Sequence, residues 1–187
     1  MSLILFEYLT NSLFNVRGLG ERVKKSMLKD LVKNHNVDFL AIQETKLEAI
    51  SNSLCYNIWG GDGCDWAFLP SVCNSGGILS SWRKSNSSIL FSLTGEGFVC
   101  VCLEWGVHKP RCFVVNVFSK CDLPAKNRLW DNLVLVKNTF GDGVWCVIGD
   151  FNAVTSSRER RGVNEETSSG IQFFFVGCET TWFKSPW

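Results

Sequence analysis

Polar side chains close several apolar runs of this sequence, and their types suit work on a metal ion and a phosphate. Asn15 follows the run SLF, Glu44 follows VDFLAIQ, and Asp150 and Asn152 lie at the end of VWCVIGDFN. Asp150 and Asn152 are two residues apart, so in an extended segment their side chains point to the same side. Carboxylate and amide oxygens, with no cluster of His or Cys beside them, favour a hard cation such as Mg²⁺.

Each of these residues also has a simpler interpretation as a turn or cap residue, because Asn, Asp and Gly commonly follow strands. Four such positions do not by themselves separate the two interpretations. In α/β architectures, however, the strand ends and the loops after them form the site. Composition and periodicity therefore indicate a soluble α/β domain whose strand ends could form a metal and phosphate site.

The elements that would position these residues alternate between strands and helices. Apolar spacing predicts a strand at 12–17, an amphipathic helix at 21–35 and a buried strand at 37–42, which together make a β-α-β unit. Residues 51–75, rich in Gly, Ser and Asn, are interpreted as a loop. The remaining predicted elements are strands at 76–82, 87–93, 98–105 and 112–118, a helix at 124–140 and a strand at 144–152.

Composition narrows the class of protein. The length of 187 residues and an apolar content of 45% fit a single folded domain over residues 1–187. A net charge of +1 does not indicate a strongly basic nucleic-acid clamp. Nine cysteines without a CxxC pair, and only two histidines, argue against a zinc module and favour buried free thiols.

The N-terminal segment lacks the basic leader of a signal peptide, and no apolar run approaches the length of a membrane helix. We therefore expect an intracellular protein, cytoplasmic or nuclear and not secreted, with no membrane partner.

Several segments carry a resemblance to a known family when they are taken in order. They are LFNVRGLG (13–20), DFLAIQETKL (38–47), SGGIL (75–79), FVVNVFSKCDLPAKNRLWDNL (113–133), IGDFNAV (148–154) and RERRG (158–162). Over about residues 12 to 162 the chain resembles the endonuclease domain of plant LINE-type (non-LTR) retroelements. That domain belongs to the exonuclease–endonuclease–phosphatase superfamily, which includes apurinic endonucleases and deoxyribonuclease I.

The resemblance implies a fold, a reaction and roles for individual residues. It implies a four-layered α/β sandwich of two packed sheets with helices outside, incomplete at the C-terminus, that nicks DNA with Mg²⁺ or Mn²⁺. Glu44 would bind the metal, and Asn15 would orient the metal ligands and the phosphate. Asp150 would orient or activate the attacking water, and Asn152 would hold the scissile phosphate.

The resemblance also implies partners beyond the metal. DNA would be the substrate, and a reverse transcriptase region would belong to the longer parent element. Arg158, Arg160 and Arg161 could contact the DNA backbone; the alternative is a solvated loop whose charge nearby glutamates balance.

Two features depart from the family pattern. Phe118 stands where the family usually has Tyr, and the sequence has no Ser-Asp-His motif, whose His completes the family site. His35, in a predicted helix, and His108, in a predicted turn, do not match that motif. Three interpretations of the chain as a whole stay open: an active endonuclease domain, a truncated retroelement remnant without catalysis, and a non-catalytic nucleic-acid-binding fragment. The missing His favours the second over the first, and the near-neutral charge disfavours the third.

Overall fold

The computed structural model describes residues 11–73 and 75–151, and this part contains eight strands and three α-helices. In chain order they are β1 (Asn11–Asn15), α1 (Arg22–Asn34), β2 (Phe39–Gln43), α2 (Asn52–Trp59), β3 (Cys64–Leu69), β4 (Ile78–Arg83), β5 (Ser87–Gly95), β6 (Phe98–Trp105), β7 (Arg111–Phe118), α3 (Leu123–Phe140) and β8 (Val144–Asp150). None of these three helices is both long and apolar enough to cross a membrane.

The strands form two four-stranded sheets, ordered β1-β2-β4-β3 and β5-β6-β7-β8. Strands β1 and β2 are parallel, as are β7 and β8, whereas the other neighbouring pairs are antiparallel. Parallel neighbours end at the same edge of a sheet. The residues that follow β1 and β2 therefore lie together, and so do those that follow β7 and β8.

Three apolar clusters hold four layers together. Phe39, Trp82, Val101 and Val114 belong to the cluster between the two sheets. Leu28 of α1 and Ile58 of α2 pack on the outer face of the first sheet. On the far side, α3 packs against the second sheet. The sequence prediction of a four-layered α/β sandwich is confirmed, because apolar residues line both faces of the sheets.

One element prediction is wrong. Residues 51–75 are not a continuous loop, since they contain α2 and β3. The Ser51 hydroxyl accepts a hydrogen bond from the Leu54 N–H and so caps α2, which ends at Gly60 with a left-handed φ of 76°. These are standard signals of a helix start and a helix end. The abundance of Gly, Ser and Asn masked a helix that two of those residues delimit.

The cysteines behave as small apolar residues. Six of the eight described cysteines are buried, and only Cys73 and Cys121 are exposed. Burial raises the pKa of Cys55 and of Cys100 to about 12, so both stay protonated at neutral pH. Cys100 and Cys102 lie on one face of β6, in the cluster under α3, and serve packing.

Candidate active site

Asn15 links two carboxylates from distant parts of the chain. Its Nδ2 donates to Glu44 Oε1 at 3.1 Å and to Asp150 Oδ2 at 3.3 Å. The two carboxylate oxygens are thus no farther apart than the sum of these distances, well inside the roughly 8 Å spanned by one Mg²⁺ with its waters. The three side chains are half-buried and lie where β1, β2 and β8 end.

The orientation of the Asn15 amide follows from its other contact. Its Oδ1 accepts a hydrogen bond from the backbone N–H of Arg17 at 3.2 Å, so the NH₂ group turns toward the carboxylates. Arg17 has a left-handed φ of 47°. This tight turn directly after β1 presents its N–H to the side chain two residues back.

Backbone hydrogen bonds from both sides clamp the loop that carries Glu44. The Glu44 carbonyl accepts from Gly18 N–H at 2.7 Å, and Thr45 N–H donates to the Gly77 carbonyl at 3.1 Å. Glu44 itself has a φ of 52°, which L residues rarely adopt. Strain of this kind persists where the surroundings over-determine the conformation, and here two neighbouring loops do so.

Position 77, whose carbonyl accepts one of these backbone hydrogen bonds, requires glycine. Gly77 has a φ of 86°, and a Cβ at this position would overlap the Thr45 hydroxyl and lie 3.3 Å from the Lys46 nitrogen. The close approach lets the loop before β4 reach the loop after β2. The Gly-Gly pair in SGGIL thus has a structural role that sequence reasoning did not assign; the adjacent glycines were its only signal.

Asp150, the last residue of β8, is held by the neighbouring strand β7 and the residue that follows it. Its backbone carbonyl accepts from Ser119 N–H at 2.8 Å, and Phe118 is its register partner across β7 and β8. Phe118 is half-buried and packs against the core between the sheets. The position where the family usually carries Tyr is therefore next to the carboxylate, and here it offers a ring without a hydroxyl.

A buried pair of amide side chains joins the two sheets next to the site. Gln43 and Asn116 have no exposed surface, and Gln43 Nε2 donates to Asn116 Oδ1 at 2.6 Å across the two sheets. Asn116 Nδ2 in turn donates to the Leu79 carbonyl and the Ser80 hydroxyl. These bonds set the spacing of β2 and β7, which end at the site edge, and of β4, which begins there.

We expect Gln43→Leu to lower the free energy of unfolding by about 1–3 kcal/mol, because Asn116 Oδ1 would be left buried without its donor. Urea denaturation measures this change. The double variant with Asn116→Leu should lose less than the sum of the two single losses. Strict additivity would show that the amide pair does not couple the sheets.

Cationic side chains lie on the loops that carry the site. Arg17 follows Asn15 by two residues and Lys46 follows Glu44 by two. Lys24 of α1 donates to the Gly18 carbonyl at 3.2 Å and is paired with Glu21 at 3.2 Å. Arg17 and Lys46 are exposed. Although the whole chain is nearly neutral, this rim can attract a phosphate.

The donor set fits a magnesium ion that keeps several of its waters. Among the described residues no group of three His, Cys, Asp or Glu side chains converges, so a closed protein cage is absent there. Mg²⁺ is usually held by one or two carboxylates together with waters and substrate oxygens. Glu44 and Asp150 supply two carboxylates on one side of such a shell.

The structure thus brings together Asn15, Glu44 and Asp150 of the sequence-predicted site. Asn152, Arg158, Arg160 and Arg161 lie outside the described residues. His35 is the residue after α1, and His108 lies in the turn between β6 and β7. Both are exposed and lie at the opposite end of the strands from Asp150, so neither replaces the family His.

Comparison with known proteins identifies the family. The model of the Endonuclease/Exonuclease/phosphatase family matches residues 13–187, which extends beyond residue 162, where the resemblance in the sequence fades. The chain belongs to this family. No curated protein sequence matches it.

Solved structures of family-like fold are similar to the chain over most of its length. An AP endonuclease from Leishmania major has a TM-score of 0.57 at 18% identity, covering 75% of this chain and 54% of that one. An AP endonuclease from Archaeoglobus fulgidus has a TM-score of 0.58 at 18% identity, covering 80% and 59%. The catalytic domain of human Nocturnin, with a bound sulfate anion, has a TM-score of 0.55 at 13% identity, covering 75% and 62%.

At these identities the likeness shows the fold. The chain spans between 54% and 62% of the length of these three solved structures. The family groups nucleases and phosphatases, so the coarse chemistry that its fold is associated with is attack on a phosphate ester.

Proposed function

We propose that this chain carries the metal-binding part of a Mg²⁺-dependent phosphodiesterase site that acts on DNA. The observation that carries the proposal is the convergence of Glu44 and Asp150 on the single Asn15 amide. Family membership supports the phosphate ester as substrate. The exposed cations Arg17 and Lys46 beside the trio suit the charged backbone of a nucleic acid.

Each residue of the trio has a task in this proposal. Glu44, held rigidly by its loop, and Asp150 would hold the metal on one side. The Asp150 carboxylate, on the rim of the sandwich, would also orient a water and accept its proton. Asn15 keeps the two carboxylates at a defined separation. Once a cation neutralises the carboxylates, the Asn15 amide would be able to donate to a phosphate oxygen instead.

A bound Mg²⁺ would supply stabilisation of the charge that develops on the phosphate oxygens. Asn152, which lies outside the described residues, is proposed to hold the scissile phosphate, and Arg158, Arg160 and Arg161 to contact the backbone. Mn²⁺, with similar oxygen ligands, could replace Mg²⁺.

We propose that hydrolysis by residues 1–187 alone is slow. The sequence contains no His that reaches the site, and Phe118 cannot donate a hydrogen bond to a phosphate. The proposal is therefore a domain of retroelement endonuclease type whose own turnover is slow.

We also propose that the chain derives from a LINE-type retroelement and that its parent protein included a reverse transcriptase. The ordered motifs from LFNVRGLG to RERRG support this origin. Sequencing of the transcript beyond codon 187 tests it. A frame that continues into a Ser-Asp-His motif and a reverse transcriptase is expected, whereas a frame encoding an unrelated domain would contradict the origin.

Metal binding tests the proposed function without relying on turnover. We expect wild type to bind Mn²⁺, detected by the loss of the free-ion electron paramagnetic resonance signal, and Glu44→Gln to bind at least about tenfold more weakly. Asn15→Leu should weaken binding by about 10–100-fold, as loss of an orienting partner does at other metal sites.

Glu48→Gln is the matched control, because Glu48 is an exposed carboxylate four residues farther along the chain. It should bind Mn²⁺ as wild type does. Equal binding by wild type and Glu44→Gln would contradict the assignment of Glu44 and, with it, the proposed function.

A further inference from the structure

A cavity of about 570 Å³ opens beside the trio, and the proposed chemistry of the trio leaves it unused. Its walls come from the loop between β3 and β4, the turn between β5 and β6, and the segment from Phe118 to Lys120. Ala125 and Leu129 of α3 line its base. All these segments lie at the edge of the sandwich where β2, β7 and β8 end.

Phe118 forms the wall between this cavity and the trio. It lines the cavity and is the register partner of Asp150 across β7 and β8. Neighbouring strands are about 4.8 Å apart, so the cavity begins within the length of one nucleoside from a phosphate held at Asp150. A ligand that spans the two places would pass along the Phe118 ring.

Glycines keep the walls of the cavity close to Phe118. A Cβ on Gly76 would lie 3.9 Å from the Phe118 ring, and a Cβ on Gly97 would lie 2.9 Å from the Phe118 carbonyl oxygen. Both glycines have a positive φ, so a side chain there would also strain the backbone. Phe118 is only half-buried, and the part of it that lines the cavity is not covered by a side chain at either position.

The charged side chains at the cavity are paired with one another, and the rest of its lining is mostly apolar. Its two charged lining residues, Glu96 and Lys120, pair with each other at 3.6 Å. Arg128, and more weakly Lys120, hold the pKa of Glu96 below its usual value, so the carboxylate stays charged and paired at neutral pH. The other lining groups are apolar side chains such as Leu69, Ile78 and Leu129, glycines, and a few hydroxyls.

We propose that this cavity is a nucleobase subsite, which takes the base next to the phosphodiester held at the trio and stacks it on Phe118. The inference rests on the proposed function. It assigns to the base beside the scissile phosphodiester the task of positioning the DNA strand at the trio. A flat, uncharged ring fits the apolar walls, and the exposed hydroxyls of Ser75 and Thr94 can meet its polar edge. Stacking of this kind tolerates different bases, because every base has a π-face.

The test compares two single strands of equal length and charge, one with thymine on every sugar and one with abasic sugars throughout. Fluorescence anisotropy with Ca²⁺ in place of Mg²⁺ measures their binding. Wild type is expected to bind the thymine strand about tenfold more tightly than the abasic strand.

Thr94→Phe is the diagnostic variant. Thr94 is an exposed residue of β5 that lines the cavity, so a phenylalanine there would fill the cavity without disturbing the core. Ser92→Phe is its matched control, because Ser92 is exposed on the same face of β5 and does not line the cavity. Thr94→Phe should lose the preference for thymine and keep wild-type affinity for the abasic strand and for Mn²⁺, whereas Ser92→Phe should keep all three.

Several outcomes would overturn the subsite. One is equal binding of the two strands by wild type; another is a loss of preference that is the same in both variants. A change in thermal stability of Thr94→Phe without a change in strand binding would make the cavity a packing site for the chain itself. Mn²⁺ binding separates the two proposals: if Mn²⁺ binds but thymine is not preferred, the subsite alone fails, and if Mn²⁺ does not bind, the proposed function fails.

Discussion

Supercoiled plasmid incubated with this chain and Mg²⁺ is expected to remain almost uncut, at a rate close to that of Asp150→Ala. A general acid–base group is typically worth about 10²–10⁴-fold in rate. Loss of a donor that stabilises the developing charge removes about 10²–10³-fold more. The site has no histidine among its described residues, and Phe118 has no hydroxyl, so both contributions are missing at the positions that the structure describes.

The nicking experiment needs two controls, and one outcome would contradict the expectation. An EDTA blank sets the background, and Phe118→Tyr alone should not restore nicking, because a hydroxyl does not replace an imidazole. Rapid metal-dependent nicking by wild type that disappears in Asp150→Ala would contradict the expectation. It would show that another group, for instance one among residues 152–187, takes over the role of the histidine.

Gly149→Ala is expected to be the most damaging small substitution near the site. A Cβ at position 149 would overlap the carbonyl oxygen of Val117 and lie 2.8 Å from the Val117 nitrogen, both of them backbone atoms of the neighbouring strand. Gly149 also has a φ of 155°, which L side chains rarely adopt. Overpacking and backbone strain each cost about 1–3 kcal/mol, so we expect a loss of roughly 2–5 kcal/mol in the free energy of unfolding.

Urea denaturation of three glycine variants separates the causes. Gly61→Ala, where a Cβ meets nothing within 4 Å, should be nearly neutral, and Gly60→Ala, with a φ of 76° and open space, should show strain alone. Gly149→Ala should exceed both and should also weaken Mn²⁺ binding, because β7 and β8 must move apart beside Asp150. A loss equal to that of Gly60→Ala would show that β7 yields freely and that the close approach does not position Asp150.

Local sequence signals were sufficient for most of the individual elements. The apolar spacing of α1 and the long apolar run of β6 predict their elements within one residue at each end, because both signals depend only on neighbouring residues. The helix α3 also carries its own start, in Asp122, whose side chain caps the Ala125 N–H, and in Pro124 within the first turn. The sequence does not predict α2 although its cap residues, Ser51 and Gly60, are present, because the surrounding Gly, Ser and Asn favour a loop.

The sequence by itself also marks residues of the site. Asn15, Glu44 and Asp150 each close an apolar run of the sequence, and the ordered motifs around them indicate the family. Their types favour a hard cation held by oxygen ligands, and the phosphate ester follows from the family resemblance. None of these signals says which strand ends lie together.

Tertiary structure decided that point. Asn15 and Asp150 are 135 residues apart, and they meet because the two sheets pack with the ends of β1 and β8 at a common edge. The pairing of Gln43 with Asn116 and the cavity beside Phe118 likewise depend on how separate loops and sheets approach. Periodicity is a property of neighbouring residues, whereas a site assembled where β1, β2 and β8 end depends on the register and packing of strands that are distant in sequence. A single sequence has no local signal for that packing.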